Sequence, residues 1–191
     1  MGRMTTPILH LAAICLLSVP SAHAQSVSEI TEREAEVADL LAQLAQPDLR
    51  TWESTESKIM GLWSRSGSAT ADLLLERGRQ AMDAEDYLTA IEHLTALTDH
   101  APDFAEGWHA RATAFYLIDE YGLAMQDLQR SLTLNPDHFG ALTGLGIVLE
   151  ELGRPEAALD VMRRAQELNP HRDNISDTIR RLQYTLGEAT L

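Results

Sequence analysis

The chain has 191 residues, a formal net charge of −14 and only 5% aromatic residues. A chain of this length and uniform composition predicts one compact unit with a sizeable core rather than several domains. Its acidic balance excludes the basic surface that nucleic-acid binding requires, so we expect no nucleic-acid partner.

The first 24 residues have the three parts of a secretory signal peptide. Arg3 precedes a twelve-residue apolar run over residues 8–19, and residues 22–24 read Ala-His-Ala. A positive start, a short apolar region and small residues at the cleavage site are typical of export signals. The run is shorter than the roughly 20 residues that span a bilayer. We therefore expect cleavage after Ala24 and a periplasmic protein with no stable membrane span; full secretion and an uncleaved anchor are the alternatives.

The single cysteine, Cys15, lies inside this apolar run. A lipidated cysteine would follow a small residue, whereas Ile14 precedes this one, so we do not favour a lipoprotein. Cleavage after Ala24 would leave a chain without cysteine, in which disulfides and thiol chemistry are excluded.

Residues 25–70 predict an N-terminal pair of helices. Apolar residues recur at helical spacing before Pro47, which ends the first helix. These residues are Ile30, Val37, Leu40, Leu41 and Leu44. The second helix carries Trp52, Ile59, Leu62 and Trp63 on one face. We expect a degenerate repeat or cap that packs on the first of the repeats that follow; a partner-binding or dimerising arm is the alternative.

Residues 71–172 repeat with a period of 34. The three blocks are residues 71–104, 105–138 and 139–172, and their prolines are Pro102, Pro136 and Pro170. Proline lacks an N–H group and clashes with the preceding turn, so each predicts the end of a helix. Small residues recur at the same phase, as Gly78, Ala112 and Gly146. We expect them to let the two helices of each block approach closely.

The period resembles that of the tetratricopeptide repeat, whose pattern is W-x2-L-G-x2-Y, then A-x3-F, then P. The second block matches it at Trp108, Tyr121, Ala124 and Pro136, and the others match in phase. The resemblance implies an all-α fold: a right-handed α-solenoid of stacked antiparallel helix pairs. Residues 173–191 then form a C-terminal capping helix and tail, because repeat arrays need a polar outer side at their ends.

Two local features qualify this assignment. Asp103 lies three residues before Glu106, the spacing of a capping box at the start of a helix. Arg111 occupies a position that the family usually fills with leucine.

No catalytic, metal or cofactor site is expected. The histidines form neither H-x3-H nor H-E-x2-H, and no cysteine accompanies them after residue 24. The simplest interpretation is that they are solvent-exposed polar positions. Residues 63–68 do not resemble a nucleophile elbow, which needs G-x-S-x-G after a strand.

The resemblance places partner binding on the concave face, which is lined by the first helix of each pair. The predicted positions are Asp72, Leu75, Arg79, Met82, Glu106, His109, Thr113, Tyr116, Gly140, Thr143, Ile147 and Glu150. The better-known groove of this family clamps a carboxylate with lysine and asparagine. Those positions here hold Leu75, Arg79, His109 and Thr113, so we expect no such clamp.

The sequence therefore predicts a non-enzymatic adaptor or scaffold of the bacterial envelope that binds an unidentified protein or peptide on the concave face. The alternative is a structural protein with weak self-association through the N-terminal helices, where Trp52 and Trp63 would form the contact surface.

Overall fold

The computed structural model describes residues 22–187, with side chains from Ile30 onward. The described residues form helices and no strand. The helices are α1 (Ala22–Leu44), α2 (Trp52–Trp63), α3 (Ala69–Asp83), α4 (Tyr87–His100), α5 (Ala105–Tyr116), α6 (Tyr121–Leu134), α7 (Phe139–Glu151), α8 (Pro155–Leu168) and α9 (Asp173–Leu186). The predicted all-α solenoid is confirmed. The predicted signal peptide lies outside the described residues except for residues 22–24, as does the tail at residues 188–191.

Helices α3 to α8 form three pairs, each joined by a short turn. Every turn places one residue in the left-handed region: Glu85 (φ 58°), Asp119 (φ 62°) and Gly153 (φ 68°). These residues are 34 positions apart, so the same backbone turn is repeated three times. Glycine adopts this conformation without strain, whereas the carboxylate side chains at the first two positions do so at a cost.

The small residues of the period let the paired helices approach closely, as predicted. A Cβ atom on Gly78 would lie 2.5 Å from Leu94 Cγ, and one on Gly146 would lie 2.7 Å from Met162 Cε. Ala112, at the equivalent position, is 1% exposed. At the two glycines even an alanine would force Leu94 or Met162 to move, and at Ala112 a larger side chain would disturb the packing of the pair.

Arg111, which stands where the family usually has a leucine, makes polar contacts instead of apolar ones. Its guanidinium donates to both carboxylate oxygens of Asp127 on α6, at 2.7 and 2.9 Å, and to the Thr98 hydroxyl at 2.9 Å. It also lies over the Trp108 ring, 4.9 Å from its centroid. The departure from the family pattern is thus compensated within the second pair.

Two large cores stabilise the array formed by α3 to α9. One lies between α3, α4 and α5; the other runs from α5 through α8 to α9. Helix α9 buries Ile175, Ile179 and Leu182 against the preceding pair. It therefore closes the apolar end of the array, as a capping helix is expected to do.

The N-terminal pair, α1 and α2, packs in a different place from the one predicted. It lies across the inner side of the array, where Trp63 contacts His138 and Phe139 at the start of α7. At its other end Trp52 stacks on His171, which also contacts the Leu44 carbonyl oxygen at 3.0 Å. The expectation that the pair stacks on the first repeat was wrong.

The outer face of α3 explains this difference. Leu73, Arg77 and Gln80 are exposed there, so a stacked helix pair would have to bury polar and charged groups without partners. The inner side instead offers flat aromatic and imidazole rings to the two tryptophans. No helix of the described residues is long and apolar enough to cross a membrane.

Candidate functional site

The predicted partner-binding residues lie on α3, α5 and α7, the first helices of the three pairs. They form four rows in which members are 34 residues apart. The rows near the helix starts are Asp72, Glu106 and Gly140, then Leu75, His109 and Thr143. The rows near the helix ends are Arg79, Thr113 and Ile147, then Met82, Tyr116 and Glu150. The residues near the helix starts and those near the helix ends differ in their burial and in their contacts.

Leu75 is not available to a partner. It is 2% exposed and belongs to the core between α3, α4 and α5. Its apolar side chain stabilises the first pair, so placing it on the exposed concave face was wrong.

Asp72 has a structural contact as well. Its carboxylate accepts hydrogen bonds from the Ser66 amide at 2.8 Å and the Ser66 hydroxyl at 2.6 Å. Ser68 caps α3 by accepting from the Ala71 amide. These bonds fix the connector between the N-terminal pair and the array.

Glu106 is buried at the centre of the helix-start half. It is 2% exposed, and its carboxylate pairs with Arg79 from the preceding repeat and with His138 Nε2 at 2.8 Å. The predicted capping box is absent, because Phe104 is the N-cap residue and makes no side-chain cap bond. Asp103 lies instead 90% exposed, 3.5 Å from Arg130. Glu106 therefore joins two repeats and offers no surface to a partner.

His138 is fully buried, which corrects its assignment as an exposed polar residue. Its Nδ1 accepts a hydrogen bond from the Ala141 amide at 3.1 Å and so caps α7. The ring proton of the neutral form must then be on Nε2, from which it is donated to Glu106. One signal could have shown this burial: the equivalent position 34 residues earlier is Phe104.

The charges of this cluster depend on burial and on close neighbours. Burial alone would raise the pKa of the Glu106 carboxyl, but His109 and His138 beside it hold that pKa well below its usual range. Burial lowers the pKa of His138, which outweighs the opposite effect of its bond to Glu106. The cluster is therefore most stable with a charged carboxylate and a neutral His138.

Glu106, His109 and His138 also have the composition of a three-ligand metal site. Their potential ligand atoms lie within 4.8 Å of one another, and the buried His109 Nδ1 has no hydrogen-bond partner. A histidine that ligates through Nε2 normally donates a proton from Nδ1. His138 cannot do so while it caps α7, and Arg79 and the positive end of α5 repel a cation. The arrangement favours a carboxylate anchor over a metal centre.

In the helix-end half, Arg79 is bound to Glu106 and to Ser64 beside α2, so it is not open to a partner. Thr113 is exposed, and Met82, Tyr116 and Ile147 are half-buried against the array cores. Glu150 differs, because Arg181 of α9 donates to both its oxygens at 2.9 and 2.7 Å. This contact lowers the pKa of Glu150. We call Met82, Thr113, Tyr116 and Ile147 the open surface.

The N-terminal pair borders the helix-start half. Thr143 and Gly140 face α2 across a cavity of about 180 Å³. A larger cavity of about 560 Å³ separates α1 from the array near Phe104 and Leu168. The sequence did not predict that the N-terminal pair would lie beside the helix-start half, because nothing in the pattern of residues 25–70 indicates which face of the array the pair would contact.

Comparisons with known proteins agree with this architecture. The profile of the Tetratricopeptide repeat family matches residues 75–138 and 121–173. A TPR repeat-containing protein of Rhizobium etli is 29% identical over 177 residues, which cover 87% of this chain and 86% of that protein. Small glutamine-rich tetratricopeptide repeat-containing protein 2 of Saccharomyces cerevisiae is 28% identical over 59% of this chain, which spans only 32% of that relative.

Solved structures show the same fold. The first TPR of Spaghetti (RPAP3), bound to an HSP90 peptide, superposes with a TM-score of 0.62 at 24% identity, covering 63% of this chain and 95% of that one. MamA superposes with a TM-score of 0.59 at 21% identity, covering 72% of this chain and 85% of that one. At these identities the likeness concerns the fold alone.

Proposed function

Because this chain belongs to the tetratricopeptide repeat family, we propose that it is a non-enzymatic adaptor of the bacterial envelope that binds a protein or peptide segment on its concave face. The observation that carries the proposal is the open surface. Its four residues come from three consecutive repeats as two pairs at matching heights, Met82 with Tyr116 and Thr113 with Ile147, so one continuous segment could contact them together. A peptide bound to the first TPR of RPAP3 shows that this fold accommodates such a segment.

The open surface also indicates how the partner is held. Met82, Tyr116 and Ile147 offer partly exposed apolar atoms, whereas Thr113 offers a hydroxyl whose proton goes to the His109 carbonyl oxygen. Arg79, the one cation among the predicted concave residues, is committed to Glu106. Recognition of a terminal carboxylate therefore has little support, and contact with apolar side chains of the partner is favoured.

The test is cross-linking and capture of partners from the native envelope with Thr113→Arg. A long charged side chain at this exposed position should remove the captured partner without lowering the melting temperature. Thr133→Arg is the matched control: Thr133 is exposed on α6, outside the concave face, and makes the same bond to a carbonyl four residues earlier. Equal capture by both variants would contradict the proposal.

The envelope location rests on the signal-peptide pattern in residues 1–24. Cleavage after Ala24 would remove the first three residues of α1. Mass spectrometry of the protein recovered from cell fractions should give a chain that starts at Gln25 in the periplasmic fraction. A full-length chain, or one recovered outside the envelope, would contradict this part of the proposal.

Self-association through the N-terminal helices has less support. Trp52 and Trp63, the residues expected to form that contact, lie against rings of the same chain. Light scattering over a range of concentrations separates the two functions, because an adaptor gives a constant monomer mass and a self-associating protein does not.

A further inference from the structure

Helix α2 lies on the array in the manner of a bound ligand. Trp52, Glu56, Ile59 and Trp63 follow one another at i, i+4, i+7 and i+11, which places them along one helix face. Ile59 is fully buried, and Glu56 is 6% exposed. This face meets residues at both ends of the third repeat, at the start of α7 and in the loop before α9.

Each anchor of α2 has a defined receptor on the array. The Trp63 ring lies 4.5 Å from His138 and 5.0 Å from Phe139, measured between centroids. The Trp52 ring stacks on His171 at 5.5 Å. Between them Glu56 accepts hydrogen bonds from Arg172, one from Nε at 3.0 Å and one from Nη2. We call this set of receptors the α2 seat.

The pair is loosely packed on the array. Open clefts of about 560, 440 and 180 Å³ lie along the pair, so its contact with the array is interrupted. Its buried core consists of Leu40, Leu44, Ile59 and Phe139, and only Phe139 of these belongs to the array. Since the array has two cores of its own, the pair can leave without opening them.

The connector at residues 64–68 suits such a release. Gly67 has a φ of 84° and open space around its α-carbon. Ser64 accepts a hydrogen bond from Arg79, and Ser66 is fixed to Asp72 at the start of α3. Release of the pair would therefore break the single hydrogen bond from Arg79 to Ser64, while the contact of Ser66 with Asp72 could stay and Gly67 could turn.

We propose that the N-terminal pair is a displaceable cover, and that the α2 seat binds an amphipathic helix of a partner with the same pattern: aromatic, acid at i+4, aliphatic at i+7, aromatic at i+11. The proposal extends the adaptor function and rests on it. The acid at i+4 matches Arg172, which is the partner of Glu56 when the cover is closed, and the aromatic residues match the two imidazole faces. A helix is required because the four anchors align only at helical spacing.

Displacement sets the apparent affinity for the partner. While the cover is closed the seat is filled, so the apparent dissociation constant equals the intrinsic one divided by the open fraction. A change that loosens the cover and leaves the seat intact must therefore tighten binding of a helix added from outside.

The test uses a fluorescently labelled peptide of residues 50–66 as the probe and the full chain as the receptor. Glu56→Arg in the chain removes the pair with Arg172 and brings two cations together, so the cover opens and the seat stays unchanged. Fluorescence anisotropy should show that this variant binds the peptide at least about tenfold more tightly than the wild type. Glu36→Arg, an exposed position on α1, makes the same charge change and should bind as the wild type does.

A charge exchange tests the seat itself. The Glu56→Arg peptide should bind poorly to the Glu56→Arg chain and regain binding on the Arg172→Glu chain, in which the new carboxylate at position 172 repels Glu56 of the cover and pairs with the arginine of the peptide. A peptide with both tryptophans replaced by alanine should bind to neither. Circular dichroism of each variant chain must show that the helices of the array persist, since only then do differences in peptide binding report on the α2 seat.

Equal binding of the peptide to wild type and Glu56→Arg, or no rescue by the charge exchange, would overturn the proposal. Thr113→Arg separates this outcome from failure of the adaptor function. Thr113 lies outside the α2 seat, so this variant should leave peptide binding unchanged and still lose the envelope partner. If the peptide binding does not change as expected but Thr113→Arg still loses the envelope partner, the adaptor proposal stands and the cover proposal is wrong.

Discussion

The N-terminal pair and the repeat array are both built from helix pairs, yet they are held together in different ways. In the array, the residues at one position perform the same packing task three times, as Gly78, Ala112 and Gly146 do between paired helices. The pair is instead attached through the ring contacts of Trp52 and Trp63, the Glu56–Arg172 ion pair, the contact of His171 with Leu44 and the packing of Ile59 with Phe139. The periodic region is thus close-packed and cooperative, whereas the aperiodic region is attached through a few separable contacts.

The largest expected effect comes from removing one buried aliphatic side chain from each region, Leu94 from the array and Ile59 from the pair; both are fully buried. Leu94→Ala should lower the free energy of unfolding by about 3 kcal/mol, because it leaves a cavity opposite Gly78 in the first pair. Ile59→Ala should open the cover and lower global stability less. Urea unfolding followed by circular dichroism measures both.

The control for this prediction is Leu88→Ala on the same helix as Leu94. Leu88 is 69% exposed, so the change should stay within about 0.5 kcal/mol. If Ile59→Ala destabilises the whole chain as much as Leu94→Ala does, the pair is an integral part of the cooperative unit and the contrast fails.

A second comparison concerns the two bidentate ion pairs. Asp127→Ala should cost about 2–3 kcal/mol, because it leaves Arg111, whose side chain is only 14% exposed, without its carboxylate. Glu56→Ala should cost about 1 kcal/mol or less, since Arg172 is 48% exposed and regains water. Thermal unfolding of both variants gives the order, and an equal loss would contradict it.

A matched double variant sharpens this prediction. Replacing Arg111 and Asp127 together by leucine should restore most of the stability lost by Asp127→Ala, because no unpaired charge is left in the second pair. Failure of the double variant to recover would show that the Thr98 and Trp108 contacts of Arg111, rather than the charge, determine the loss.

Acidification should act where the two regions meet, at His138. Burial lowers the pKa of this residue, so between that value and the ordinary value near 6.5 the unfolded chain binds a proton that the folded chain does not. Stability is therefore full above about pH 6.5 and falls as the pH decreases from there toward the lowered pKa of His138. Protonation of Nδ1 also removes the cap on α7, beneath Trp63.

Urea unfolding at several pH values, with tryptophan fluorescence as the readout, measures this effect. His138→Asn keeps a side-chain acceptor for the Ala141 amide and does not titrate, so its stability should change less between pH 7 and pH 5. The neighbouring Glu106 contributes only at lower pH, because its pKa is held well below the usual range. The same pH dependence in both proteins would assign the effect to other groups.

The same contrast explains how far sequence reasoning reached. The array could be predicted because each turn, close approach and helix end is a local feature confirmed by two copies 34 residues away. The capping role expected for Glu106 was wrong because its actual partners are distant in sequence: Arg79 comes from the preceding repeat and His138 from the far end of its own repeat.

The location of the N-terminal pair could not be predicted for the same reason. Its receptors, His138 and His171, are residues of loops between repeats. The two rings come into position for the tryptophans only when the repeats stack on one another. The period predicted the helices that line the concave face, but not that the chain itself covers half of it.

The smallest expected effect concerns the left-handed turn that recurs in each helix pair, which has a glycine in one pair and a larger residue in another. Glu85 and Gly153 occupy equivalent turns with φ values of 58° and 68°, and only glycine adopts this conformation without strain. Glu85→Gly should therefore raise the free energy of unfolding by about 0.5–1 kcal/mol, the relief of strain exceeding the entropy that glycine adds to the unfolded chain. Gly153→Ala should lower it by a similar amount, and both changes are measured by urea unfolding. Because these turns lie away from the α2 seat, neither substitution should alter binding of the 50–66 peptide; a change in that binding would mean that the cover senses the strain of the array and that the two regions are not separable.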